Sequence, residues 1–229
     1  MIPFPISSLD VSLDTSIVLH LYPSGKQELL FSHFEHLYMY EQLYQIEMRG
    51  RTGLPGMRAF SDDVQSKRIC IVTESNIRSI GFWPRFRAKF SEWKDTFCAG
   101  DDGEAYAVAL AETLGICYLA TDDQKQYGPH DTLVRFPKQS DVVPFTFFEL
   151  LVLDCLKGRL RTAQLYEEFH QVDSACSLNM NFHAKMKSVL RRFWINLSDK
   201  DREWLEEYCD SHEISLERIN QVKSFLDRL

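Results

Sequence analysis

This chain of 229 residues predicts an α/β fold: a central, mostly parallel sheet covered by helices, followed by a helical C-terminal extension. Three observations carry that expectation. The run ICYLAT is apolar on both faces, as a strand inside a covered parallel sheet is. It follows directly on GEAYAVALAETL, a helical segment that Gly103 opens and Gly115 ends as a C-cap. Beyond Gly158 strand signals disappear and only helical periodicity is left.

In chain order, the first strand is expected from Ser8 to Asp14, then a helix over Ser16 to Leu21 stopped by Pro23 and Gly25. A helix over Lys26 to His33 precedes the compact strand-like run HLYMY, which leads into the helical segment EQLYQIEM. RICIVTE, with β-branched Ile69, Ile71 and Val72 between polar flanks, predicts another strand. After ICYLAT, DTLVRF predicts an edge strand and PFTFFELLVLDCLKG a long buried helix. The extension predicts helices over RTAQLYEEFHQV, NFHAKMKSVLRRFW, DKDREWLEEYCDSH and LERINQVKSFLDRL. Ser198 and Asp201 resemble a capping box, and Ile219, Val222, Leu226 and Leu229 form one apolar stripe that needs a partner surface. The expected domains are therefore residues 1–158 and 159–229.

Two short apolar runs end on a carboxylate. LDVSLDTSIVLHL places Asp14 early in the chain, and GICYLATDDQ places Asp122 and Asp123 about a hundred residues later. The carboxyl ends of parallel strands face a common crevice, so acids appended there converge although they are distant in sequence. That arrangement builds a divalent-metal site.

Composition bounds the function classes. With 45% hydrophobic residues the chain can form a substantial core. The longest apolar run, Pro144 to Leu156, carries Glu149 and Asp154 and is too short to span a bilayer. MIPFPISSLD lacks the basic and apolar regions of a signal peptide, so a cytoplasmic location with reduced thiols is expected. The six cysteines include no CxxC pair and read as small core residues, and none of the seven histidines falls at zinc or catalytic-dyad spacing. A net charge of −7 argues against coating nucleic acid through bulk electrostatics, but acids gathered around cations count against the total without excluding a nuclease. Two local basic stretches stand out: Arg49, Arg51 and Arg58 in RGRTGLPGMR, and Arg85, Arg87, Lys89 and Lys94 interleaved with Trp83, Phe86, Phe90 and Trp93. Either they grip phosphates and stack on bases, or they form an exposed loop and an amphipathic helix whose rings face the core. Residues 199–217 hold eight acids against Lys200 and Arg202, a poor nucleic-acid surface and a plausible protein contact.

LDTSIVLHL, GEAYAVALAETLGICYLATDDQ and FELLVLDCLKGRL, in that order and separation, resemble the PIN-domain nucleases, which include the toxins of many bacterial toxin–antitoxin pairs. The GEA segment is similar to the subgroup in which glycine and glutamate open the helix before a TDD strand. The resemblance covers residues 8 to 160, with a looser likeness to about 209. It implies a three-layer α/β/α fold and four catalytic acids: Asp14 (Asp10 lies at the wrong end of its strand), Glu47 with Glu41 as its rival, Glu104, and Asp122, which Asp123 supplements or replaces. Asp14, Glu104, Asp122 and Asp123 are the implied metal ligands. Singly, each has a structural alternative: Glu104 favours a helix dipole, Asp14 and Asp122 can cap helices, and Glu47 can be solvated.

Several carboxylates brought together need cations, and hard oxygen ligands select Mg²⁺ or Mn²⁺. Two such ions hydrolyse a phosphodiester by making a nucleophile of water and stabilising the leaving oxygen. Thr15, Ser16 and Thr121 are candidates to orient that water or the phosphate, with Arg49, Arg51, Arg85 and Arg87 as candidate substrate contacts; Thr15 and Ser16 could equally just start a helix. The resemblance further implies an endoribonuclease acting on single-stranded RNA as a toxin or defence effector, with an antitoxin or other regulatory partner and a homodimer as possible assemblies. A DNA nuclease and a non-cleaving scaffold that binds a partner through the C-terminal helices are the alternatives.

Overall fold

The computed structural model describes residues 7–51, 53–97 and 102–229, and the chain divides into two compact units, Met1–Phe147 and Phe148–Leu229. This division falls ahead of the boundary expected at residue 158, because the buried helix that begins at Phe147 is tied by Glu149 to Arg192 in the second unit.

The N-terminal unit starts with β1 (Val11–Leu13), α1 (Thr15–Leu21), α2 (Glu28–His33) and β2 (Leu37–Tyr40). A π-helical turn at Leu43–Met48 and a 3-10 turn at Arg49–Arg51 then lead to α3 (Met57–Gln65), β3 (Ile69–Val72), α4 (Glu74–Ser79), α5 (Trp83–Thr96) and α6 (Asp102–Leu114). The unit closes with β4 (Tyr118–Ala120), α7 (Pro129–Arg135) and β5 (Val143–Phe145). All five strands are parallel, in the order β3-β2-β1-β4-β5. The chain builds outward from β1 to β3 and then crosses to the other side of β1. The topological switch point therefore lies between β1 and β4, where a doubly wound sheet opens its crevice.

Alternation along the strands assigns the two helix layers. Ser12 points toward α6, where its hydroxyl donates to the Ala107 carbonyl at 2.8 Å, and Tyr40 on the same face meets Tyr106 at 4.9 Å. The opposite face carries Val11 and Leu13, and Phe34 at the end of α2 packs there against Tyr118 and Phe145 at 5.7 and 6.2 Å. Helices on both faces make the expected three layers. Four alanines of α6 (Ala105, Ala107, Ala109, Ala111) are fully buried, which lets the helix approach the sheet closely.

Two elements differ from expectation. DTLVRF is helical, not an edge strand: Pro129 opens α7 in its first turn and Asp131 pairs with Arg135 at 2.7 Å one turn on. The edge strand is VPF, which reads from sequence as the start of the long buried helix. Pro144 suits it, since an edge position leaves one side of the strand without a ladder partner. The rings of α5 face inward as the amphipathic alternative expects: Phe86 and Trp93 are buried and Phe90 stacks on Tyr106 at 4.2 Å. The described cysteines are free thiols, but only Cys155 among them is buried and Cys117 is exposed; Cys98 lies outside the described residues.

Gly56 is held with a φ of +74°, and a Cβ there would sit 2.0 Å from the Tyr22 carbonyl oxygen. Backbone cannot yield as a side chain can. Gly56→Ala is expected to cost about 2–5 kcal/mol, combining left-handed strain with overpacking; a urea-denaturation change below about 0.5 kcal/mol, the level of a neutral surface substitution, would contradict it.

The C-terminal unit consists of α8 (Phe147–Leu156), α9 (Leu165–Cys176), α10 (Phe182–Leu190) continued by a π-helical turn at Arg191–Ile195, α11 (Asp199–Ser211) and α12 (Leu216–Asp227). Ser198 caps α11 as expected, accepting from the Asp201 amide. The α12 stripe finds its partner within the unit: Val222 and Leu226 are buried and α12 packs on α10. Arg192, Glu149 and Asp201 form a buried ion triad in its core.

Candidate metal centre

Asp14 follows β1 directly, and its amide donates to the Ala120 carbonyl of β4 at 3.0 Å, so it stands at the switch point. Its side chain is buried and accepts from Ser16 Oγ at 2.5 Å and Thr121 Oγ1 at 2.8 Å. These hydroxyls pass the order on: Ser16 accepts the Asp122 amide at 2.9 Å, and Thr121 accepts the Asp123 amide at 3.2 Å. Ser16 and Thr121 thus lock the ends of β1 and β4 together. Burial pushes the Asp14 carboxyl above its usual range, with the two hydroxyls working in the opposite direction.

The neighbours Asp122 and Asp123 have different surroundings. Asp122 Oδ1 accepts the amide of Phe147 at 2.8 Å and Oδ2 meets His20 Nδ1 at 2.8 Å, so one oxygen holds backbone and the other an imidazole. Asp123 faces Glu104, which enters from the first turn of α6. Between these two carboxylates lies the Lys125 ammonium, hydrogen-bonded to Glu104 and 3.1 Å from Asp123 Oδ2. Burial and then the Asp123 carboxylate push Glu104 up to about 8. Burial would raise Asp123 as well, but hydrogen bonds from Glu104 and Lys125 carry it below the usual carboxylate range. The two shifts run in opposite directions, as expected of neighbouring carboxylates that compete for a single ammonium.

Glu47 and Glu41 are also separated by their contacts. Glu47, on the π-helical turn, accepts from Thr15 Oγ1 at 2.7 Å, which puts it beside Asp14. Glu41 accepts the Glu74 amide at 2.6 Å at the start of α4. Arg51 donates from Nε to the Glu47 carbonyl, so Arg49 and Arg51 follow this acid on an exposed turn. Arg85 lies elsewhere: its guanidinium is bound to the Glu112 carbonyl, eight residues beyond Glu104 and about 12 Å along α6. Arg87, on α5 with Arg85, is exposed. Lysines stand at the acidic end of α6, with Lys94 on Asp102 at 2.7 Å in addition to Lys125. Lys125 and His20 went unread in the sequence. The only signal for Lys125 was its place two residues past Asp123 in the loop after a strand.

Among the described residues, one group of Asp, Glu and His brings its ligand atoms within 4.8 Å of one another: Asp10, Glu35 and His36. It lies at the opposite ends of β1 and β2, and its members are engaged with one another and with Ser7: Asp10 meets His36 Nδ1 at 2.8 Å and accepts the Ser7 amide, while Glu35 accepts the Ser7 hydroxyl. These bonds tie the entering chain to the β2 approach. At the switch point, Glu104 and Asp123 are hard oxygen donors, buried and half-buried, that already share one cationic side chain, and a pair of carboxylates is a donor set that fits Mg²⁺ or Mn²⁺. Glu104 and Asp123 would hold such an ion, with Asp14 close enough to feel the Asp123 charge and Glu47 reaching the Thr15 hydroxyl next to Asp14.

Compared with protein-family models, curated proteins and solved structures, the chain matches none. Among the described residues, no helix is long and apolar enough to cross a membrane.

Proposed function

We propose that this chain is a Mg²⁺- or Mn²⁺-dependent nuclease of PIN-domain type, cutting single-stranded RNA in the cytoplasm as a toxin or defence effector. The observation that carries the reading is the pairing of Glu104 with Asp123 at the switch point of an all-parallel sheet, with Asp14 close enough to feel the Asp123 charge. When bound, the cations supply an activated water and stabilise the departing oxygen of an in-line displacement. The chain's own part is to hold the carboxylates. Ser16 and Thr121 both donate to Asp14 Oδ2 and fix that carboxylate, Thr15 fixes Glu47, and the first turn of α6 presents Glu104. Arg49 and Arg51, exposed beside Glu47, supply charge for the substrate backbone.

The test is cleavage of labelled single-stranded RNA and DNA with Mg²⁺, Mn²⁺ or EDTA, beside Asp14→Asn. Metal-dependent cutting of RNA, lost with EDTA and in the variant, is the expected result; preferential cutting of DNA would move the substrate, and undiminished turnover by purified Asp14→Asn would remove the mechanism. A second reading, a scaffold that binds a protein without cutting, has the exposed Ile195 and Leu216 of the C-terminal unit in its favour. Inactivity in every lane would give it the weight.

A further inference from the structure

The Lys125 ammonium occupies the space between two of the acids that the proposed function assigns to a metal. Its Nζ is hydrogen-bonded to Glu104 Oε1 and lies 3.1 Å from Asp123 Oδ2. The loop is shaped to hold it there. Asp123 Oδ1 accepts the Lys125 amide at 3.0 Å, and the Gly128 amide closes on the Lys125 carbonyl at 2.9 Å. A Cβ at Gly128 would come within 3.0 Å of Asp123 Oδ1 and 3.1 Å of Lys125 Cγ, so the glycine leaves the room in which the acid and the lysine sit side by side. Glu104 is nearly enclosed, with 7% of its side chain exposed, whereas Lys125 is 46% exposed. The acid is fixed, and the cation that satisfies it can leave.

We propose that Lys125 is a resident counter-ion of the metal centre, displaced from Glu104 and Asp123 by the incoming divalent cation and released to bind a phosphate of the substrate strand. This rests on the metal-dependent nuclease reading. A divalent ion takes carboxylate oxygens at about 2.1 Å and repels an ammonium bonded to the same oxygens. Lysine is suited to the exchange because its charge rides on a flexible four-carbon stem with strong hydration, so departure requires rotation of one side chain and no unfolding. The exchange also keeps the charge balance of the site. The carboxylates gain a stronger cation as the lysine moves to an anion that arrives with the substrate. Metal-free protein is spared the repulsion of bare acids at its switch point, and the lysine sets a threshold of metal concentration for activity.

The test compares wild type, Lys125→Met, Lys94→Met and Glu104→Gln by calorimetric titration with Mn²⁺, and by anisotropy of a labelled single-stranded RNA in Ca²⁺ without turnover. Lys94, paired with Asp102 on the surface, is the control for simple loss of a nearby positive charge. Lys125→Met should bind Mn²⁺ about fivefold more tightly, the upper range for a half-exposed ion pair, while Lys94→Met stays at the wild-type value. The same Lys125→Met variant should bind RNA about three- to tenfold more weakly, having lost one charged phosphate contact. Opposite signs in the two titrations are the signature of exchange. Unchanged or weaker Mn²⁺ affinity in Lys125→Met overturns the displacement, and unchanged RNA affinity overturns the release. Failure of the metal reading looks different: wild type and Glu104→Gln would then share the same absent Mn²⁺ binding, and the exchange would fall with it.

Discussion

Arg192→Met is expected to destabilise the C-terminal unit by about 3–5 kcal/mol, the cost of breaking a buried ion pair from one side. Arg192, Glu149 and Asp201 expose only 4%, 3% and 4% of their side chains. The guanidinium donates to Glu149 Oε1 at 2.9 Å and twice to Asp201 Oδ1, at 3.2 and 2.9 Å. Methionine fills much of the volume but leaves two carboxylates facing each other away from water. Asp201 keeps Trp204 Nε1 and Ser198 Oγ as donors.

The pH dependence of that loss has a definite sign. Burial would raise Asp201, but the charge and hydrogen bonds of Arg192 carry it below its ordinary value. A depressed carboxyl contributes stability that is present above the unfolded value of about 3.9 and disappears as pH falls through the lower folded value. Without the arginine that contribution is gone and the buried acids take up protons instead. The gap between wild type and variant is therefore widest near neutrality and narrows below about pH 4. Urea denaturation at both pH values, followed by the fluorescence of Trp194 and Trp204, measures it. A loss under about 1 kcal/mol at pH 7 would mean that water, not burial, surrounds the triad.

The second large effect separates two adjacent residues. If the nuclease reading holds, Asp123→Asn should lower cleavage about a thousandfold or more, the equivalent of several kcal/mol of lost transition-state stabilisation. Asp122→Asn should keep cleavage within about tenfold and instead lose about 1–2 kcal/mol of stability, because its carboxylate receives the Phe147 amide and His20. Denaturation midpoints measured alongside rates distinguish the two. Abolished cleavage in Asp122→Asn with an unchanged midpoint would return the ligand role to Asp122.

Much of this architecture was legible because its signals are local. The helix over GEAYAVALAETL ends where Gly115 takes a φ of +77°, and ICYLAT runs through the middle of the sheet. Asp14 sits at the end of its strand as the pattern of an apolar run closed by a carboxylate requires. The misread segments share a physical cause. In DTLVRF, β-branched Thr132 and Val134 mimic a strand, yet the preceding Gly-Pro and one Asp–Arg pair settle a helix. In VVPFTFFELL, strand and helix are both apolar and adjoin without polar punctuation, so periodicity alone cannot mark the change at Thr146.

At the site the limit was one of direction. Asp122 and Asp123 follow each other along an extended stretch, where neighbouring side chains point to opposite sides, and composition does not say which side holds Glu104. Glu41 and Glu47 differ only by which distant group each reaches, Glu74 or Thr15. By itself the sequence determined the strand-and-helix alternation, the helical tail and the carboxylates that follow β1 and β4, since propensity, capping and hydrophobic period act between near neighbours. Only the tertiary structure decided the strand order that makes a switch point, the turn of Asp123 rather than Asp122 toward Glu104, and the lysine lodged between them, because those depend on contacts between residues that the chain brings together only after it has folded.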